Sequence, residues 1–167
     1  MPSAGTDRGI VTLRALRAED GPVVRALALP EIERSPYGSG SSSALEAVLT
    51  GADPDSRGLV AIHDGRLVGI AVYGAIAGTA GAGRLQLVVV DRDTRMRGIA
   101  TKLVHGAIAA LGAEGARFVT VELPDDPVLS ASKQLLLRCR FHVEVMVADY
   151  FRDGVDLAIL RRDLTGA

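Results

Sequence analysis

The chain contains no tryptophan, and aromatic residues make up only 4% of it. A surface for stacking nucleic-acid bases therefore has little to be built from. Nor is there a charge excess: 19 lysines and arginines stand against 20 acids, a net charge of −1. That balance leaves no electrostatic footprint for DNA or RNA, so no nucleic-acid partner is expected. A single cysteine, Cys139, rules out a disulfide framework and a multi-cysteine zinc site. His63, His105 and His142 are scattered without ligand spacing, so no metal site is expected. The longest uncharged stretch, Leu67 to Gly83, is short for a membrane span and rich in Gly and Ala. It reads as a strand followed by a loop, and no membrane partner is expected. Residues 1–9 lack the basic-then-apolar pattern of a signal peptide, which makes the cytoplasm the default location.

What is present suits a folded globule. Hydrophobic residues make up 48% of 167 positions, enough for one domain with a substantial core. Residues 1–9 are expected to be a flexible N-terminus and residues 10–167 a single domain. Val11 to Arg14 alternates like a strand. Arg17 to Leu29 reads as a helix stopped by Pro30, Tyr37 to Ser43 as a Gly/Ser loop, and Ala44 to Leu49 as a short helix. Asp64-Gly65 is a turn between strands Gly58–His63 and Leu67–Ala77. Arg84 to Asp91 holds the run Leu87-Val88-Val89-Val90, the pattern of a strand covered on both faces. Arg97 to Leu111 has an amphipathic period, with Gly112 as its terminator. Phe118–Leu123 reads as a strand, Val128–Arg138 as a helix, and Val143–Val147 and Val155–Arg161 as two closing strands. This order gives an α/β or α+β fold, a mixed sheet with helices on its faces.

The chemistry concentrates between Leu87 and Thr101. A buried strand ends at Asp91, a turn carries Arg92, Arg95 and Arg97, and Gly98 and Ala100 open a helix. The first helical turn leaves N–H groups without partners at the positive end of the dipole. Small residues there let an anion reach the backbone, and the Thr101 hydroxyl adds a donor. A diphosphate suits that arrangement.

Arg95-Met96-Arg97-Gly98-Ile99-Ala100 resembles the Gln/Arg-x-x-Gly-x-Gly/Ala signature of the GNAT superfamily of acyl-CoA-dependent N-acyltransferases. The preceding strand, the following helix and the element order over residues 10–163 extend the resemblance. It implies a mostly antiparallel central sheet of about six or seven strands, with helices on both faces and two parallel strands splayed apart. Those strands would be Arg84–Asp91 and Phe118–Leu123, with acetyl-CoA as acyl donor between them. Val88, Val89 and Val90 would meet the pantetheine through backbone atoms, chiefly Val88 and Val90. Arg95, Met96, Arg97, Gly98, Ile99, Ala100 and Thr101 would hold the pyrophosphate. A Rossmann site fits worse, since no Gly-x-Gly-x-x-Gly opens the first strand–helix unit.

The later segment departs from the family's pattern. Arg140-Phe141 stands where a Gly-Phe pair is usual, and Leu136 where a tyrosine often supplies the general acid. Ser130 and Ser132 offer hydroxyls nearby. For the base, the resemblance points to Glu122 at the end of the second splayed strand, with Tyr150 as runner-up. Glu31 and Glu33 are candidates for attracting a cationic amine. The implied activity is transfer of an acetyl group from acetyl-CoA to a primary amine by direct attack in a ternary complex. The acceptor would be a small or amino-acid-like amine, ahead of a protein N-terminus or lysine. The alternative is a non-catalytic acyl-CoA-binding or sensing module. Homodimers are frequent in the family, so a homodimer is a possible assembly that no residue here specifies.

Overall fold

The computed structural model describes residues 9–95 and 98–164. Most of the expected flexible N-terminus, and both Met96 and Arg97, lie outside the described residues. The elements run β1 (Val11–Ala15), α1 (Gly21–Glu33), α2 (Gly38–Thr50), β2 (Ser56–His63), β3 (Arg66–Ala75), β4 (Ala82–Val90), α3 (Ile99–Ala113), β5 (Phe118–Pro124), α4 (Ser130–Arg138), β6 (His142–Arg152) and β7 (Val155–Asp163). All seven strands form one sheet in the order β1-β2-β3-β4-β5-β7-β6. Every neighbouring pair is antiparallel except β4 with β5. No helix among the described residues is long and apolar enough to cross a membrane.

Alternation along the strands makes two cores. Leu85, Val88, Val90, Val119 and Val121 pack with Ile99, Leu103, Val104, Ala107, Ile108 and Leu111 of α3 and with Leu136 and Phe141. Leu87 and Val89 turn the other way, to Val24, Ala28 and Ile32 of α1 and Leu45 of α2. The β4 strand is thus covered on both faces, as its apolar run predicts.

Two expectations fail, both beside α1. Pro30 does not stop the helix, which continues to Glu33. Val24, Ala28 and Ile32 form one stripe at four-residue spacing, and all three are buried. Their packing outweighs the hydrogen bond that Pro30 cannot donate. The Gly/Ser run is also not a loop. Residues 38–50 are one continuous helix, held by fully buried Leu45 and ended by Gly51 at φ 70°. Gly38 is required at its start: a Cβ there would lie 2.3 Å from the Ile32 carbonyl oxygen. Smaller shifts of boundary follow the same logic. α3 runs through Gly112 to Ala113, and Gly115 takes the left-handed position at φ 91°.

A half-buried ion pair ties β1 to the start of α1. Arg14 donates two hydrogen bonds to Asp20, at 2.7 and 2.8 Å, and the Arg17 amide donates a third at 2.8 Å. The Arg14 hydrogen bond holds the Asp20 carboxyl below the usual carboxylate range, against the opposing effect of burial. A carboxyl depressed on folding stabilises above its unfolded pKa, and that stability is lost as pH falls through its folded value. Asp20→Asn is therefore expected to cost about 2 kcal/mol at neutral pH, the scale of hydrogen bonds to charged groups. The cost should shrink as pH falls below the unfolded value, about 3.9, and vanish only below the lowered folded value. Urea unfolding of both proteins at pH 7 and at pH 3 checks this; an equal cost at both would rule out the carboxylate as its source.

Candidate active site

β4 and β5 begin side by side and then part. Their parallel register covers Ala82 with Phe118, Gly83 with Val119 and Arg84 with Thr120, and no further pair forms. Beyond Arg84, the side of β4 that faces β5 has no strand partner. The Asp91 amide donates to the Val68 carbonyl on β3 at 2.8 Å. Backbone direction alternates along a strand, so Val89 also faces β3, while Val88 and Val90 turn their amide and carbonyl groups into the gap. The Val90 carbonyl is already engaged there, accepting from Arg95 Nε at 3.3 Å. Val88 thus offers both backbone groups to a ligand, and Val90 its N–H. Val89 meets the gap only as part of its wall.

The gap opens into a cavity of about 570 Å³. At one end is the start of α3. Gly98 is the N-cap residue at φ 74°, and nothing lies within 4 Å of where its Cβ would be. The amides of Ile99, Ala100 and Thr101 follow in the first turn, where a helix has no carbonyl to offer them. All four residues line the cavity. A left-handed glycine feeding a four-turn helix at the end of a splayed strand makes a cradle for a diphosphate, with the unpaired strand edge leading away from it.

Arginines surround this end, but not as free charges. Arg95 donates to Glu31 of α1, Arg92 reaches the same carboxylate at 3.1 Å, and Arg34 at 2.6 Å. Burial pushes the Glu31 carboxyl up, and the Arg95 hydrogen bond with the three nearby guanidiniums outweighs it, leaving the group below its ordinary range. Glu31 is therefore occupied with arginines and does not attract a cationic amine. Glu33 points to solvent and is not among the cavity-lining residues.

Glu122, Ser132, Leu136 and Tyr37 also line the cavity. Glu122 is exposed and sits between Val121 and Leu123, whose side chains join the α3 core, so it projects from the opposite face of β5. Leu136 is 5% exposed and lines the cavity with an aliphatic side chain. Ser132 lines the cavity and Ser130 does not. Tyr150 lies on β6, 60% exposed and outside the lining, with its ring edge-on to Phe151 at 5.1 Å. Cys139 is fully buried, and burial raises its thiol pKa, which makes it inert as a nucleophile.

Sequence reasoning missed Tyr37. Its hydroxyl donates to Asp126 at 2.6 Å, and Arg152 pairs with the same carboxylate at 2.9 Å. The Tyr37 ring also meets Phe151 edge-on at 5.4 Å. The group joins the segment before α2, the loop after β5 and the β6–β7 hairpin. Of this group, Tyr37 lines the cavity. Tyr37 and Asp126 are 89 residues apart, and no local pattern announces the pair.

The comparisons agree with this geometry. The family model described as the acetyltransferase (GNAT) family matches residues 26–132, more than half of the chain. The chain belongs to the GNAT acetyltransferase family. No curated protein matches. Among solved structures, a GNAT-family protein from Desulfovibrio desulfuricans is similar over 92% of this chain and 99% of its own, at 20% identity and TM-score 0.81. YncA from Salmonella typhimurium, solved with its cofactor acetyl-CoA, covers 94% and 95%, at 16% identity and TM-score 0.74. A ribosomal-protein-alanine N-acetyltransferase from Brucella melitensis covers 92% and 99%, at 19% identity and TM-score 0.72. At these identities the likeness is one of fold, and membership rests on the family match. GNAT enzymes use acetyl-CoA, and this cleft has the features to take it: an unpaired strand edge for the pantetheine amides and an open N-terminal turn for the pyrophosphate.

Proposed function

We propose that this acetyltransferase moves the acetyl group of acetyl-CoA to a primary amine of a small or amino-acid-like acceptor, by direct attack in a ternary complex. The observation that carries the reading is one cavity lined by the α3 N-terminus, the unpaired edge of β4 and Glu122. When bound, acetyl-CoA supplies an activated acetyl thioester. The amides of Gly98, Ile99 and Ala100, with Thr101, hold the pyrophosphate, and Arg95 stands beside them. Arg97 and Met96 carry the same assignment from the signature alone. Val88 and Val90 receive the pantetheine amides. A backbone N–H in this stretch is placed to stabilise the carbonyl oxygen as it gains charge.

Glu122 is proposed as the base that takes the acceptor's ammonium proton, directly or through a water. A carboxylate at the acceptor end also attracts the cation before reaction. Tyr150 is the second candidate, standing on the hairpin beside Phe151. Leu136 cannot donate a proton, so the leaving thiolate must take one from water or from the Ser132 hydroxyl. Alignment in the cleft carries much of the rate enhancement, since a neutral amine attacks a thioester readily once placed. Cys139, free and buried, is in keeping with a reducing, cytoplasmic setting.

Thiol release from acetyl-CoA, measured across a panel of primary amines, amino acids and N-terminal peptides, tests this reading. Turnover with one class of primary amine is expected. Tight acetyl-CoA binding with no turnover on any amine would favour a sensing module instead, the reading that Leu136 in the acid's place supports.

A further inference from the structure

A second cavity, of about 410 Å³, lies beyond the first on the α3 face. It is lined by His105, Ile108 and Ala109 of α3, by Arg138 and Arg140 around the end of α4, and by Arg162 of β7. No acid lines it. Among the described residues, none of these three arginines takes part in an ion pair. Arg162 is held in place by donating to the Cys139 carbonyl at 2.9 Å. The contrast with the first cavity is direct, because there Glu31 neutralises the arginines.

Arg140 also sits at φ 66°, in the left-handed region. A residue with a Cβ costs roughly 1–2 kcal/mol there, and glycine would remove that cost. The chain keeps a guanidinium at this strained position, beside two others that repel it. A bound anion resolves that arrangement. Guanidinium forks match the oxygens of a phosphate and bind it with charge-assisted hydrogen bonds.

The position limits which phosphate. Arg138 lines both cavities. His105 is seven residues past Gly98 on α3, about 10 Å along the helix axis at 1.5 Å per residue. We infer that Arg138, Arg140 and Arg162, with His105, form a phosphate-monoester site that takes the 3′-phosphate of the donor's adenosine. The inference rests on the proposed placement of the pyrophosphate at Gly98–Ala100, from which the phosphorylated ribose extends.

Calorimetric titration of wild type and Arg140→Gly with CoA and with 3′-dephospho-CoA tests it, with Arg162→Gln as a second variant. Glycine suits the backbone at 140, so that variant should fold, and its melting temperature should equal or exceed that of wild type. Wild type should bind CoA about 10- to 100-fold more tightly than 3′-dephospho-CoA, one charge-assisted bond or two. Arg140→Gly and Arg162→Gln should lose most of that preference by weakening CoA alone. Equal binding of the two ligands by wild type overturns the inference while leaving the cleft assignment intact. So does an equal loss for both ligands in the variants. Inorganic phosphate binding that Arg140→Gly abolishes, with no preference for CoA, would make this a free-phosphate site and also overturn it. Failure of wild type to bind either ligand would overturn the pyrophosphate placement itself, and the inference with it.

Discussion

Gly98→Val is expected to lower acetyl-CoA affinity by about a hundredfold or more. Two effects are expected. The residue sits at φ 74°, where a side chain costs roughly 1–2 kcal/mol and a β-branched one is the least tolerated. The branched group also fills the space in front of the first helical turn, where no protein atom lies within 4 Å of the Cβ position. Blocking the approach removes hydrogen bonds from amides to a charged ligand, each worth about 1.5–3 kcal/mol. Losing two such bonds, about 3–6 kcal/mol, is two to four decades in affinity. Gly98→Ala adds only the strain, which should cost roughly 1–2 kcal/mol of stability and leave acetyl-CoA affinity nearly unchanged. Titration with acetyl-CoA, with NAD as an inert ligand, measures both, and thermal melting separates binding loss from unfolding. Full affinity in a folded Gly98→Val protein would remove the pyrophosphate from this turn.

Glu122→Gln should lower the rate by about 10²–10⁴, the range of general base catalysis, while leaving acetyl-CoA affinity unchanged. Glutamine keeps the size and the hydrogen-bonding reach of the side chain but accepts no proton. The loss should therefore appear in kcat, and the fall of rate toward acid pH that reports a carboxylate base should disappear. Tyr150→Phe is the informative comparison. With Tyr150 outside the lining of the cavity, its hydroxyl should matter far less. A pH–rate profile that Glu122→Gln leaves unaltered would remove Glu122 as the base, and a large loss in Tyr150→Phe would move the role to the hairpin.

The parts of this fold that were legible in the sequence are those where local pattern and tertiary packing agree. Leu87 to Val90 reads as a strand covered on both faces because both its faces are in fact packed. α3 reads from its 3.6-residue stripe, and Asp64-Gly65 announces its hairpin. Where the two disagree, packing prevails. Gly38 to Ser43 is poor in helix formers, yet buried Leu45 and the close approach to Ile32 set it as the first turns of α2. Pro30 marks a helix end by propensity alone, and Ile32 carries the helix past it. The candidate site divides in the same way. The start of α3 is local, so its signature marks it. The divergence of β4 from β5 is a property of two strands far apart in sequence, and only the family resemblance anticipated it. The binding of Glu31 by three arginines and the Tyr37–Asp126–Arg152 group depend on contacts that no spacing rule reaches.

The central claim is that one cleft, running from the α3 N-terminus along the unpaired edge of β4, holds the acetyl donor. Backbone amide chemical shifts followed by NMR during titration with acetyl-CoA test it most directly. The amides of Val88, Val90, Gly98, Ile99 and Ala100 should move furthest, and those of β1 and β2 should stay still. Saturable shifts confined to other elements, with these five amides unmoved, would contradict the account.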